Sequence, residues 1–245
     1  MINTLKKAIR EGEMKPWIQP IYACDGKLAG GEILVRWTRP DKAVVPPLHF
    51  IRIIEENNLS AQLTDTLFQQ TCDYFKEIKA SLPDEFHFAF NISPSQLGTS
   101  ELIAGCDRFL SVFGKKTRLV LELTERQKIQ HNDDDVIHKL RGKGIMVALD
   151  DFGTGYSSLD YLSRFDVDFI KIDKSFIDNI CVERRARNVV KNMGALAKNL
   201  NIRTIAEGIE TQEQLNELNA LNIPFYQGYF CSRPLTLPDF HQAYL

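Results

Sequence analysis

The chain has 245 residues, 44% of them hydrophobic, with 30 Lys and Arg set against 32 Asp and Glu. That composition excludes disorder, and so balanced a charge excludes a general polycation surface for DNA, RNA or anionic lipid. The five cysteines (24, 72, 106, 181 and 231) are odd in number and form no CxxC or Cys/His pair. They argue against zinc and a disulfide framework and for a reducing, cytoplasmic location.

The opening stretch, MINTLKKAIREGEMKP, is charged and amphipathic, without the apolar core of a signal peptide, and no 18-residue apolar run occurs. No membrane contact is expected of this chain, and a longer, tethered parent protein is compatible with it. After a first helix, WIQPIYA (17–23) reads as a strand, followed by a turn at Asp25-Gly26 and a second strand, AGGEILVRW (29–37). A Gly-containing turn in place of a crossover helix points to an antiparallel first pair. A proline-rich loop, TRPDKAVVPP, leads through LHFIRIIEENN into an amphipathic helix near 60–80. Strand 86–92 comes next, then a helix from 94 with Ser93 as its N-cap and Pro94 in its first turn.

The alternation continues with strand 118–123, helix 133–142, strand 145–150, helix 157–164, strand 168–172 and helix 184–199. Strand 202–206, helix 211–221 and strand 225–229 complete it. The run His131-Asn132-Asp133-Asp134-Asp135 has metal-ligand chemistry but sits where an acidic first helical turn belongs. About eight strands alternating with helices predict a (β/α)8 TIM-like barrel, with an open doubly wound sheet as the alternative. No linker or low-complexity stretch interrupts the pattern, so one domain over 1–245 is expected.

Seven of the apolar runs end on, or carry just inside, a residue suited to metal or phosphate. They supply Glu32, Asn91, Glu122, Asp150 with Asp151, Lys171, Glu207 and Gln227. A parallel barrel gathers its strand ends at one mouth, which brings these scattered positions together. Strand parity agrees: Glu32, Leu34 and Arg36 share the inward face, and Ile33, Val35 and Trp37 face the outer helices. By the same rule Asn91 and Glu122 point inward, while Phe86, Phe88, Phe90, Leu119, Leu121 and Leu123 point outward. Five carboxylates and one lysine sum to −4, which two divalent cations would neutralise. Two cations about 3.5–4 Å apart can activate a water against a phosphodiester and stabilise the entering and leaving oxygens. An all-oxygen donor set favours Mg2+ or Mn2+ over zinc; Ca2+ is expected to bind with looser geometry and little activity.

These residues stand in ordered motifs: QPI at 19–21, GEILVRW at 31–37, NISPSQL at 91–97 and ELTER at 122–126. DDFGTGYSSLDYL at 150–162, DFIKIDKSFI at 168–177, AEGIET at 206–211 and QGY at 227–229 complete the series. From about Leu5 to about Pro234 the chain resembles the EAL-domain family of cyclic di-GMP phosphodiesterases. The resemblance implies hydrolysis of cyclic di-GMP to linear pGpG and a likeness to proteins that commonly form homodimers. It implies that Glu32, Asn91, Glu122 and Asp150 ligate one ion, with Asp150 shared with a second ion held by Asp151 and Glu207. Lys171 would contact the attacking water, and Gln227 would support a metal-bound water. Glu125 would anchor a mobile loop spanning 151–158. Gln19, Leu34, Arg36, Pro47, Phe50 and Arg233 would line the substrate groove.

The family's Glu-Ala-Leu signature is Glu-Ile-Leu here, and parity turns Ile33 toward the helices and away from the metals. Two other functions stay open. One is a cyclic di-GMP-binding or protein-docking module with weak turnover. The other is an unrelated barrel enzyme such as a glycoside hydrolase, which would give Asn91 and Lys171 no evident work.

Overall fold

Eight strands close into a ring in the computed structural model, which describes residues 1–124, 129–130, 133–154 and 158–245. Helix α1 (Ile2–Arg10) precedes β1 (Met14–Ala23), which turns at Gly26 (φ +81°) into β2 (Leu28–Thr38). This pair is antiparallel, with Gln19 opposite Glu32. A two-residue strand, β3 (Val44–Val45), doubles back on the end of β2 before α2 (Ile51–Glu56), α3 (Ser60–Phe75) and β4 (Phe86–Ile92). Then come α4 (Ser100–Phe113), β5 (Thr117–Thr124), α5 (Asp133–Gly142), β6 (Met146–Phe152), α6 (Ser158–Arg164) and β7 (Phe169–Ile172). The chain ends through α7 (Lys174–Ile177), α8 (Arg184–Asn199), β8 (Arg203–Ala206), α9 (Gln212–Ala220), β9 (Phe225–Tyr226), β10 (Leu235–Thr236) and α10 (Leu237–Tyr244).

Neighbours from β2 through β4 to β9 run parallel, and β1 closes the ring by antiparallel pairing with both β2 and β9. The fold is a (β/α)8 barrel with an inverted first strand. Side chains alternate across each strand, so the two faces build two cores. Ile21, Ala89, Val120, Ala148, Phe169 and Ile205 fill the barrel, whereas Ile33, Phe86, Phe88, Phe90, Leu119, Leu121 and Leu123 pack beneath the helices. Each large side chain so buried contributes ~1.5–3 kcal/mol. The ring of His87 stacks on Phe169 at 5.3 Å inside the barrel, close to the backbone of Gly30. A Cβ at Gly30 would lie 2.5 Å from the His87 carbonyl oxygen, so the approach of β2 to β4 there requires glycine.

Some boundaries differ from the expected ones. Pro94–Gln96 forms a 3-10 turn, and α4 begins only at Ser100, capped by Thr99, whose hydroxyl accepts from Leu102 N at 3.3 Å. Ser93 makes no cap bond; its hydroxyl pairs with that of Ser95 at 2.9 Å. The long helix stops at Phe75, and α7 and α10 were not expected at all. Among the described residues no helix is long and apolar enough to cross a membrane.

Candidate active site

The C-terminal ends of the parallel strands converge on one cavity of about 400 Å3, lined by Glu32, Asp150, Lys171, Glu207 and Gln227 together with Gln19, Leu34 and Tyr229. Parity carries most of the placement. Phe169 and Ile205 face into the barrel, so Lys171 and Glu207, two residues further on, face the mouth above them. Asp150 and Asp151 are adjacent and would point to opposite faces of a regular strand. A bulge resolves this: between Leu149↔Ile170 and Phe152↔Ile172 the strand β6 carries one residue more than β7. Asp151 absorbs it at φ +54°, a left-handed conformation that aspartate tolerates better than most side chains. Carboxylate oxygens of Asp150, Asp151 and Glu207 thereby come within 4.8 Å of one another.

Lys171 stands at the centre of the acids. Its Nζ is 2.8 Å from Glu122, 2.9 Å from Glu207, 3.2 Å from Asp150 and 3.4 Å from Glu32, with the lysine side chain only 1% exposed. Two amides hold Glu32 from opposite sides. Asn91 Nδ2 donates to Oε1 at 2.7 Å, and Gln227 Nε2 donates to Oε2 at 2.7 Å and also to Glu207 at 3.1 Å.

Burial sets the electrostatics, and the neighbours decide its outcome residue by residue. Burial pushes the Glu122 carboxyl well above the usual range; Lys171 opposes this, while Glu32 and Asp150 add to it. Glu207 is pushed up to about 8 by burial, again against the pull of Lys171. Glu32 goes the other way: burial would raise it, but Lys171 and the Gln227 and Asn91 amides outweigh that and hold it low. Burial would likewise lower Lys171, yet Asp150, Glu122, Glu207 and Glu32 keep it well above the ordinary lysine range.

The donor set fits a hard cation. Among the described residues, Glu122 Oε1 and Gln227 Oε1 are buried acceptors without a hydrogen-bond partner, and such atoms are costly unless something positive faces them. The Asp150, Asp151 and Glu207 oxygens cluster as ligands of one ion would, and oxygen-only coordination suits Mg2+-like ions.

The family model for the EAL domain matches residues 2–234. The chain belongs to the EAL domain family. Among its relatives, the cyclic di-GMP phosphodiesterase PdeL of Escherichia coli (strain K12) is 39% identical over 95% of this chain and 66% of its own length. The cyclic di-GMP phosphodiesterase RocR of Pseudomonas aeruginosa is 35% identical, over 96% and 60% respectively. This EAL domain spans about half to two-thirds of the first curated relatives it matches. Among solved structures, the EAL enzyme Bd1971 in its cAMP- and cyclic-di-GMP-bound form superposes with a TM-score of 0.89 at 30% identity. The match covers 99% of this chain and 68% of that one. The PaMucR phosphodiesterase in complex with c-di-GMP gives 0.86 at 27%, covering 98% of each.

The expected groove residues of this EAL domain fall into distinct places. Gln19 and Leu34 line the same cavity as the acids, and Gln19 Nε2 donates to Ser232 O at 3.2 Å. Arg36 lies over the Trp17 ring at 5.7 Å and donates to Val35 O, and Arg233 is exposed on the rim. Pro47 lines a neighbouring apolar crevice of about 220 Å3 that also reaches Leu34 and Asn91. Phe50 is 1% exposed and meets Trp37 edge-on at 5.9 Å, so it supports the wall from behind and offers no surface to a ligand. Glu125 lies outside the described residues, as do 155–157 of the expected loop and His131 and Asn132 of the acidic run. The sequence reading missed Tyr229, Lys174 and Glu210, which line the cavity too. The QGY motif held the signal for Tyr229: an aromatic residue one step beyond a glycine at a strand end.

Proposed function

We propose that this chain is a metal-dependent phosphodiesterase that hydrolyses cyclic di-GMP to linear pGpG, lowering that second messenger in bacterial signalling. The observation that supports the reading most is the constellation itself. Four carboxylates surround one buried lysine at the strand ends, in a chain whose relatives carry the name cyclic di-GMP phosphodiesterase. Glu32, Asn91, Glu122 and Asp150 would hold one divalent ion, and Asp150, Asp151 and Glu207 a second, with Mg2+ or Mn2+ as the working metals. When bound, the pair supplies an activated water and charge stabilisation for both the entering and leaving oxygens.

The chain's own residues do the rest. Lys171, kept protonated by its acidic neighbours, positions the attacking water by hydrogen bonding and offsets charge that grows on the phosphoryl oxygens. Gln227, donating to Glu32 and Glu207 at once, fixes the spacing of two carboxylates contributed by β2 and the end of β8. Arg36 presents a guanidinium that can take a phosphate in two-point fashion. The single domain over 1–245 is supported by the unbroken strand–helix alternation, and the homodimer by the family resemblance alone.

The test is direct. The purified protein is incubated with cyclic di-GMP and Mg2+ or Mn2+, and the products are separated. Appearance of pGpG is expected. Intact substrate in the presence of demonstrably folded protein would overturn the enzyme reading and leave a binding module.

A further inference from the structure

The rim of the mouth alternates rings and guanidinium groups in a way that metal and water chemistry does not use. Arg36 lies over Trp17 at 5.7 Å. Arg233 sits 4.3 Å from the centroid of the Tyr229 ring. Tyr229 itself is 51% exposed and lines the same cavity as Glu32, Asp150, Lys171 and Glu207. An exposed tyrosine on a turn is ordinarily a solvated side chain. This one differs because its backbone is strapped down. A Cβ at Gly228 would overlap the Ile209 backbone, Phe230 N donates to Ile209 O at 2.9 Å, and Cys231 N and Ser232 N both donate to Gly228 O. The turn therefore holds the Tyr229 backbone at a fixed place on the rim, with Arg233 over the ring and the side chain lining the cavity.

We propose that Tyr229, backed by Arg233, is the platform on which one purine base of the dinucleotide substrate stacks, with Arg36 beside it on a phosphate. The inference rests on the phosphodiesterase reading above. Aromatic rings and guanidinium planes are the general protein surfaces for unpaired bases, and the alternation of ring and cation matches a ligand that alternates base and phosphate. Stacking tolerates any base, because every base has a π-face. Tyr229 thus selects base-bearing diesters over base-free ones and leaves the choice of guanine to other groups.

The experiment compares the wild-type enzyme with Tyr229→Ala and Tyr229→Phe on two substrates, cyclic di-GMP and the base-free diester methyl 4-nitrophenyl phosphate, at saturating Mn2+. Base stacking of ~1–3 kcal/mol converts to a rise in KM for cyclic di-GMP of roughly 5- to 150-fold in Tyr229→Ala, with kcat little changed. The ratio of kcat/KM between the two substrates should fall by the same factor, and Tyr229→Phe should restore it. A wild-type KM in Tyr229→Ala overturns the proposal, as does a Phe variant as impaired as the Ala variant. Equal losses on both substrates overturn it too, because they mean that the metal site has shifted. If the wild-type protein turns over neither substrate, the phosphodiesterase reading fails by itself. Calorimetric titration with cyclic di-GMP in Ca2+ then decides the platform: weaker binding by Tyr229→Ala supports it, whereas equal binding, or no binding by the wild type, overturns it.

Discussion

Replacing Lys171 with methionine removes one charge and little volume, and the structure sets the size of the effect. The ammonium group meets four carboxylates within 3.4 Å, and one of them, Glu122, is 0% exposed. Deleting one partner of a buried ion pair costs ~3–5 kcal/mol, part of which a carboxyl recovers by taking up a proton. At ~2–4 °C per kcal/mol for a domain of this size, the melting temperature in chelator should fall by roughly 6–20 °C. A divalent cation supplies positive charge to the same oxygens. At about a hundred times its Kd it returns ~2.7 kcal/mol, so Mn2+ should stabilise Lys171→Met by more than it stabilises the wild type. Turnover should stay severely depressed at saturating Mn2+, with metal affinity equal to or above that of the wild type. Scanning calorimetry in EDTA and in MnCl2, calorimetric titration with Mn2+, and kcat read these four quantities. An unchanged melting temperature in EDTA would falsify the counter-charge role. Failure of Mn2+ to recover stability would make the lysine a packing element, and a wild-type kcat would remove it from the chemistry.

Glu32→Ala should lower turnover by several orders of magnitude, whereas Ile33→Ala, which empties a buried outer-core position, should keep most of kcat and lose ~2–5 kcal/mol of stability; equal kcat losses at equal folded fraction would mean the strand faces are wrong. Asp151→Gly keeps the left-handed backbone and removes the carboxylate, so Mn2+ affinity by calorimetry should drop while the melting temperature in EDTA holds; a collapse in EDTA would instead assign Asp151 to the fold. His87 is pushed down to about 4 by burial and by Arg203. The unfolded chain, titrating near 6.5, therefore binds a proton that the folded chain refuses. Stability is fully present above pH 6.5 and falls by about 3 kcal/mol as the pH drops toward 4. Denaturant titrations of the wild type and His87→Gln across that window should show a shallower pH dependence in the variant, and parallel curves would refute the assignment.

Parity made much of this molecule readable. Alternation in GEILVRW and FHFAFN separated Glu32 and Asn91 from Ile33 and the phenylalanines, and both strands obey it. The rule cannot explain Asp150 beside Asp151, because a bulge violates alternation by definition and nothing in IMVALDDFG marks where the extra residue sits. Phe50 was misleading for a related reason: it lies at the junction of a 3-10 turn and α2, at φ −142°, where no period tells inside from outside. Helix α10 was legible and missed, since Thr236 followed by Leu-Pro-Asp is a capping signal, and Thr236 does accept from Asp239 N. The crowding of four acids on Lys171 was beyond any local pattern, because it exists only once the ring has closed.

That closure also sets the order in which the site can come into being. The hydrogen bond from Gln227 to Glu32 joins positions 195 residues apart, across the seam where β1 meets the last parallel strand. At ~5–20 residues per second of synthesis, Glu32 waits roughly 10–40 s on the ribosome before its partner has even been made. The intervening strands can pair with their neighbours as they emerge, but the Gln227 clamp on Glu32 forms only when the ring closes, because its two residues come from either end of the strand order. Contacts of such long sequence separation slow folding. Until the last strand is made the sheet stays open at β1 on one side and at the newest strand on the other, so the seam strands β1 and β9 are the part of this barrel most exposed to mispairing.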